Sequence, residues 1–271
     1  MIKIAALIIA HRSPENLSRL LRRLSGNAWS RYLHIDAKTD FSQFAGIIDA
    51  DVQVLKKRYD VHWGGYSQIL ATLELLRCAF ADKANTHFYL MSGQCFPIKD
   101  DLEIADAIRA CEPNANFYNS TAMPQPTKPL SRLSQWHFPS LTRPSIRRFA
   151  ERAMKLFPRR DVKKLLKGLE PRAGAQWWLL NRESAARILD FSAENPWYVR
   201  AFKYSHCSDE MFFQTLLHHV GQLPARGCPT VMRWVEGNPS PETVTESLYA
   251  EFSPGWHLFA RKFDRYYGPE T

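Results

Sequence analysis

Two adjacent carboxylates in the second half of the chain have the placement that acid–base chemistry requires. Asp209 and Glu210 follow Cys207 and Ser208 and come directly before an apolar run over residues 211–217. Ser208 or Asp209 can cap a helix that starts here, and acids stabilise a first helical turn, which explains both carboxylates without any function. A general base is also a carboxylate, fixed on a rigid element and aimed into a cleft. The sequence leaves both interpretations open.

The segment over residues 255–264 combines aromatic side chains with two adjacent cations. Phe259 and Phe263 are expected to anchor it in the core, which leaves Arg261 and Lys262 to reach a phosphate. The alternative is a docked tail whose two charges face solvent, and the pattern alone favours that alternative.

Common fingerprints for phosphate and metal binding are absent or weak. There is neither a G-x-G-x-x-G motif nor a P-loop. Gly64 and Gly65 follow Trp63 in a turn that opens a helix, either to offer backbone N–H groups to a phosphate or only to join two elements. Asp49 and Asp51 form a D-x-D sequence, which suits Mg²⁺ or Mn²⁺ after a buried strand. The residues before them are too helix-like to be that strand, so we predict a solvated turn and no metal site.

Apolar periodicity predicts an α/β sheet with helices on its faces. Short continuous apolar runs predict strands over residues 4–9, 32–36, 52–55, 88–91, 176–180 and 230–234. Apolar residues at helical spacing predict helices over residues 14–24, from 66 onward, 102–110, 183–189 and 210–220. Because ligands of such sheets bind at the carboxyl ends of the strands, the crevice is expected there. No linker divides the chain, and we predict a single domain over residues 1–271.

The charge of the chain suggests an anionic partner. Its 271 residues include 36 Lys and Arg against 27 Asp and Glu, which gives a net charge of +9. Nine of the cations lie in residues 145–170, interleaved with apolar residues, after a proline-rich loop over residues 122–144. A basic amphipathic insertion of this kind suits an anionic membrane surface. Nucleic acid is the rival partner, although the chain carries no recognition motif for it.

The cellular location is predicted from two further features. The apolar run at residues 4–10 is too short to cross a bilayer, and the five cysteines show no paired spacing. We therefore expect a cytoplasmic protein, with peripheral contact at the inner face of the membrane through residues 145–170.

Seven segments of the chain together resemble a known family. In order they are IIAHRSPENLSRLLRRL, YLHIDAK, VHWGGYSQILATLELLR, FYLMSGQCFPIKDDLEI, GAQWWLLNRESAARIL, CSDEMFFQTLL and HLFARKFD. They are similar to glycosyltransferase family 14, which contains the core-2 β-1,6-N-acetylglucosaminyltransferases and the peptide O-xylosyltransferases, and the chain looks like a bacterial member. The resemblance implies a GT-A fold with a central mixed sheet flanked by helices. It also implies a nucleotide-binding half over residues 1–120 and an acceptor-binding, catalytic half over residues 121–271.

The resemblance further implies inverting transfer of a sugar from a UDP-sugar to the hydroxyl of a glycan or lipid-linked glycan. Family members meet the diphosphate with basic side chains, so no divalent metal and no cofactor beyond the UDP-sugar is expected. N-acetylglucosamine is the expected donor sugar, xylose is the alternative, and bacterial surface polysaccharide synthesis is the expected setting. A basic nucleic-acid-binding or glycan-binding protein is the non-enzymatic alternative.

Individual roles carry over from the family to matching positions. Glu210 falls on the catalytic base, Lys262 on the lysine that meets the diphosphate, and Arg233 on its partner arginine. The remaining donor-site positions are Ala10, His11, Asp36, Trp63, Gly64, Gly65 and Arg261. The expected acceptor-binding residues are Lys128, Arg132, Trp136, Gln176, Trp177 and Asp209. Two positions depart from the family: Cys95 replaces a common aspartate, which puts donor identity in doubt, and Cys207 replaces a common proline.

Overall fold

The computed structural model describes residues 2–238 and 240–264. Its strands are β1 (Ile4–Ala10), β2 (Trp29–Ile35), β3 (Val52–Val54), β4 (His87–Ser92), β5 (Cys95–Pro97), β6 (Thr121–Ala122), β7 (Arg172–Ala173), β8 (Leu179–Asn181), β9 (Thr230–Val231) and β10 (Phe259–Arg261). Its helices are α1 (Pro14–Arg23), α2 (Ser42–Ala45), α3 (Tyr66–Ala81), α4 (Asp101–Arg109), α5 (Ser131–Ser134), α6 (Pro144–Ala153), α7 (Val162–Leu165), α8 (Arg182–Glu194), α9 (Pro196–Ala201), α10 (Phe212–His219) and α11 (Glu246–Phe252). Two 3₁₀ segments cover Met154–Leu156 and Ser208–Glu210.

The main sheet has the strand order β3-β2-β1-β4-β8. The first four strands of that order are parallel, and β8 runs antiparallel to β4. All seven residues of β1 are buried, as expected for a strand with neighbours on both edges and cover on both faces. Helix α3 packs on β1 and β2, and α8 packs on β4 and β8. The predicted α/β fold with a central mixed sheet between helices is confirmed.

A second sheet ties the end of the described chain to the first half. Its order is β5-β10-β9, with β10 antiparallel to β5 and parallel to β9. The Asn16 side chain on α1 donates to the backbone oxygens of Gly93, at 3.2 Å, and Phe263, at 3.0 Å. These bonds hold the segment after β10 against the carboxyl ends of β1 and β4.

Several predicted boundaries need correction. The strand expected at 176–180 starts only at Leu179, and the one expected at 230–234 is two residues long. The helix expected at 210–220 starts at Phe212, because residues 208–210 form a tighter 3₁₀ turn. Neither Ser208 nor Asp209 therefore caps it, and no side chain caps its N-terminus.

The predicted basic insertion consists of α6, a 3₁₀ turn and α7, and α6 has no buried residue. The five cysteines are free thiols. Among the described residues, no helix is both long and apolar enough to cross a bilayer.

Candidate active site

Most of the expected donor-site residues lie at the edge of the main sheet formed by the carboxyl ends of its parallel strands. Ala10 ends β1 and Asp36 follows β2, and the backbone N–H of Asp36 donates to the Ala10 oxygen at 2.9 Å. Because β8 is antiparallel to β4, the residues just before it, including Trp177, lie at that same edge. The chain thus forms its candidate crevice at the carboxyl ends of the parallel strands, where such sheets bind ligands.

Glu210 reaches this edge from the 3₁₀ turn that precedes α10. Its backbone oxygen accepts from the Gly174 N–H at 2.9 Å, and the Ser208 N–H donates to the Gly64 oxygen at 3.2 Å. Its carboxylate accepts from Arg132 Nη1 at 2.7 Å and lies 3.1 Å from Lys128 Nζ. Both contacts are to Oε2, and Oε1 has no hydrogen-bond partner among the described residues. Glu210 is therefore a partly exposed, oriented carboxylate with one oxygen free to accept a proton.

Asp209 has the opposite environment, although it is the adjacent residue. Burial and the neighbouring charge of Glu210 raise the pKa of Asp209 to about 7, against the opposing effect of Lys128 and Arg132. Its Oδ1 is buried and has no hydrogen-bond partner within the described ranges. The buried position favours a neutral carboxylic acid, which is unlike the proton acceptor that a base must be.

Three cations gather where β1, β5 and β10 meet. Arg12 Nη2 donates to Gln94 Oε1 at 2.9 Å, and Gln94 Nε2 donates to Asp264 Oδ1 at 3.0 Å. Burial and the nearness of Arg12 and Arg261 lower the pKa of Lys262, while Asp264 opposes the shift. We call Arg12, Arg261 and Lys262 the cation cluster. Mutual repulsion of this kind is relieved when an anion binds.

Arg261 is held by neutral groups. Its Nη1 donates to the Ser92 hydroxyl and lies 3.6 Å from Cys95 Sγ. No carboxylate pairs with it in the part of the chain that the structure describes. Its guanidinium covers the Trp177 ring, with 4.8 Å from Cζ to the ring centroid. The charge of Arg261 is thus available to a ligand.

Comparison with known proteins identifies the family. A family model described as Core-2/I-Branching enzyme matches residues 4–255. The chain belongs to the Core-2/I-branching family. A human relative, β-1,3-galactosyl-O-glycosyl-glycoprotein β-1,6-N-acetylglucosaminyltransferase, is 29% identical over 112 residues, which are 39% of this chain and 26% of that protein. This chain therefore matches about a quarter of the length of that relative.

A solved structure is also similar in part. It is the crystal structure of 4-diphosphocytidyl-2C-methyl-D-erythritol synthase, with a TM-score of 0.40 and 11% identity over 93% of this chain and 97% of that one.

The family assignment confirms the resemblance seen in the seven segments and places the chain among glycosyltransferases.

The expected donor-site residues Ala10, His11 and Asp36 lie around the ends of β1 and β2. The Asp36 carboxylate is 3.0 Å from Lys38 Nζ, and the His11 backbone oxygen accepts from the Thr39 hydroxyl at 3.0 Å. Trp63 is highly exposed and meets His206 edge-on, with 5.7 Å between ring centroids. These roles stay predictions for this member of the Core-2/I-branching family.

Apart from the buried Asp209, the expected acceptor residues divide into three groups. Lys128 and Arg132 lie on Glu210 itself, as described above. Trp136 lies 5.4 Å from Tyr204 between ring centroids, beside a cavity of about 420 Å³ that it shares with the basic insertion. Trp177 is only 6% exposed and covered by Arg261, so its ring supports the cation cluster more than it offers a face to a sugar. Gln176 precedes it, and its Nε2 is buried without a hydrogen-bond partner among the described residues.

Arg233 is placed differently from the other expected diphosphate ligands. Its guanidinium pairs with Glu251 on α11 and lies 5.8 Å from the Phe252 ring centroid. The structure does not bring this side chain into the cation cluster.

The D-x-D sequence lies at the opposite ends of the strands from the candidate crevice. Asp49 and Asp51 come just before β3, which is parallel to β2, so they lie at the amino ends of the strands. Both carboxylates pair with Arg31, at 3.4 Å for Asp49. Over residues 2–238 and 240–264, no group of three His, Cys, Asp or Glu side chains could hold a metal ion.

Sequence reasoning did not select three residues that the fold brings to the site. Arg12 joins the cation cluster, Gln94 links it to Asp264, and Gly174 binds the backbone of Glu210. Arg12 could have been found, because it lies two residues after the end of β1 in the first family segment. The other two depend on contacts between distant parts of the chain, which no local pattern records.

Proposed function

We propose that the protein transfers a sugar from a UDP-sugar to a glycan hydroxyl, with inversion and without a divalent metal. The observation that supports this best is that one edge of the sheet carries both an oriented carboxylate, Glu210, and a cluster of cations. N-acetylglucosamine is the proposed donor sugar because the human relative is named for its transfer. UDP-xylose is the alternative donor.

In the proposed mechanism the acceptor hydroxyl lies between Glu210 Oε1 and the anomeric carbon of the donor. Glu210 takes the hydroxyl proton while the oxygen attacks from the face opposite UDP. The new C–O bond forms as the bond to the diphosphate breaks, and its electron pair leaves with UDP. General-base assistance of this kind contributes about 10²–10⁴-fold to a rate.

Lys128 and Arg132 have a positioning role in this mechanism. Their contacts to Oε2 fix the direction of Oε1. A carboxylate held in this way is already oriented for the reaction. Its hydrogen bonds to cations are stronger than hydrogen bonds between neutral groups.

The cation cluster has the role of stabilising the departing diphosphate. Arg12, Arg261 and Lys262 are in place before the negative charge develops, so little reorganisation is needed during the reaction. Arginine suits this task because its planar fork of donors matches phosphate oxygens.

A donor screen tests the proposal. The purified protein is incubated with UDP-GlcNAc, UDP-xylose or UDP-galactose and a β-galactoside acceptor, with EDTA throughout, and the product is analysed by NMR. We expect transfer of GlcNAc with a β-linkage from the α-linked donor. An α-linked product contradicts inversion, and activity that returns only when Mn²⁺ is added contradicts the metal-free mechanism. Glycan binding without any turnover of the UDP-sugars supports the non-enzymatic alternative.

The setting of the reaction is part of the proposal. We propose an acceptor in bacterial surface polysaccharide synthesis, on the resemblance that the sequence segments suggest. Growth of a deletion strain and analysis of its surface glycans would test that setting, and an unchanged glycan composition would contradict it.

A further inference from the structure

The basic insertion exposes four large apolar side chains within twelve residues. Ile146 is 46% exposed, Phe149 74%, Leu156 88% and Phe157 60%. Ile146 and Phe149 are three residues apart on α6 and therefore share one face of that helix. Single exposed apolar residues are ordinary on protein surfaces, but a group of this size in one segment indicates a contact surface.

Cations surround these apolar side chains. The exposed ones between residues 143 and 159 are Arg143, Arg147, Arg148, Arg152, Lys155 and Arg159. The single acid of this stretch, Glu151, faces the protein: its Oε1 accepts from the Phe138 N–H at 3.4 Å and lies 4.0 Å from His137 Nδ1. The outward charge of residues 143–159 is therefore positive throughout.

We propose that this face, residues 143–159, docks on an anionic phospholipid surface. Cations attract the headgroups, while Phe149, Leu156 and their apolar neighbours enter the boundary between headgroups and acyl chains. Aliphatic side chains such as Ile146 and Leu156 gain little from nucleic acid, whose contacts with proteins are mainly ionic, hydrogen-bonded and stacked. The location that follows, peripheral at the cytoplasmic face of a membrane, is part of this proposal.

Docking of this face also positions the acceptor side of the crevice. The Arg160 N–H donates to the Ser134 oxygen at 2.8 Å, and the Arg160 guanidinium lies 5.4 Å from the Trp136 ring centroid. Helix α5, which carries Arg132, is thus joined directly to Arg160, the residue that follows the docked face. The docking itself does not depend on the proposed transferase activity and is tested without it.

Co-sedimentation with vesicles tests the proposal. The protein is mixed with vesicles of phosphatidylcholine containing phosphatidylglycerol, or of phosphatidylcholine alone, and we expect strong preference for the anionic vesicles. The double variant R147S/R148S should weaken partitioning about tenfold or more. The double variant F149S/L156S should weaken it by a similar factor through lost apolar insertion.

Matched controls separate this face from general surface effects. K56S/K83S removes the same charge from exposed lysines elsewhere, and L102S/L223S removes exposed leucines from other surfaces. Both controls should bind vesicles like the original protein, and circular dichroism should show that all four variants are folded. Equal binding to neutral vesicles, equal losses in the controls, or no loss in F149S/L156S would overturn the proposal. Failure to bind vesicles together with a gel shift of random duplex DNA would assign the face to nucleic acid instead.

Discussion

Asp209 and Glu210 show how neighbouring residues of similar chemistry acquire different roles. Glu210 is partly exposed and held by two cations, whereas Asp209 is buried and its pKa is raised to about 7 by that burial. The tight 3₁₀ turn over residues 208–210 points the two side chains into these different surroundings. Of the two carboxylates, Glu210 is the one whose unpartnered oxygen lies on a partly exposed side chain, where an acceptor can reach it.

The raised pKa of Asp209 predicts an unusual dependence of stability on pH. Folding favours the protonated acid, so this contribution to stability is complete below pH about 4 and is lost as pH rises through about 7. Asp209→Asn removes it. The free energy of unfolding of the variant should therefore rise relative to the original protein between pH about 4 and 7, by about 4 kcal/mol at most.

Urea denaturation across this pH range checks the prediction. Asp190→Asn changes an exposed carboxylate in the same way and should keep the pH dependence of the original protein. If the curves for Asp209→Asn and the original protein run parallel, the carboxyl of Asp209 does not titrate as described.

At the scale of residues, the sequence predicted the types of group at the site better than their contacts. Glu210 and Lys262 were selected from family segments, and the fold places each at the expected edge. The acceptor role expected of Lys128 and Arg132 stays a prediction. Their contact with Glu210 was not predicted, because it depends on a segment 78 to 82 residues earlier in the chain that folds back over the turn. Such a contact has no local signature in the sequence.

At the scale of elements, two turns from distant parts of the chain hold Glu210 in place. Gly64, with φ of +64°, lies so close to the second turn that an added Cβ would be 3.1 Å from the Cys207 nitrogen. The Ser208 N–H donates to the Gly64 backbone oxygen and so joins the same two turns. The glycine is therefore needed both for its backbone conformation and for the close approach.

Gly64→Ala should reduce both stability and catalysis. Alanine at positive φ costs about 1 kcal/mol or more, and the Cβ would displace the turn that carries Glu210. Gly221→Ala is the matched control, because Gly221 has φ of +73° with no atom within 4 Å of an added Cβ. We expect thermal denaturation to show a loss in both variants, and kcat to fall only in Gly64→Ala. Equal kcat in the two variants would show that the contact between the turns does not position the base.

The long elements were predictable and the short ones were not. Strands β1, β2 and β4 follow from apolar runs, and α3 follows from its helical periodicity, because each buries enough of its own residues to show a pattern. Strands β5, β9 and β10 have two or three residues each. Their pairing depends on the end of the chain returning to the sheet, and a segment of three residues carries no periodicity.

At the scale of the whole molecule, the cations to which we assign a binding role form two separate groups. One is the cation cluster at the crevice, and the other is the exposed face at residues 143–159. The two halves of the chain are also joined, since β10 pairs with β5 and the Asn16 side chain binds the Phe263 oxygen. These long-range contacts agree with the single domain predicted from the sequence, which stays a prediction.

Cooperative unfolding is the expected consequence of that connection. Unfolding in urea, followed both by tryptophan fluorescence and by far-UV circular dichroism, should show one coincident transition. A fragment of residues 1–120 should not fold alone, because it lacks β8 and β10, which pair with β4 and β5. Two separated transitions, or a folded fragment, would contradict a single domain.

The most direct test of the central claim is the Glu210→Gln variant. The amide keeps the size of the side chain but cannot accept the proton, so kcat should fall by about 10²–10⁴-fold. The Kd for UDP, measured by calorimetry, should be nearly unchanged, because the cation cluster is intact. Loss of transfer with retained UDP binding is the result predicted here, and transfer at the original rate would remove Glu210 from the mechanism.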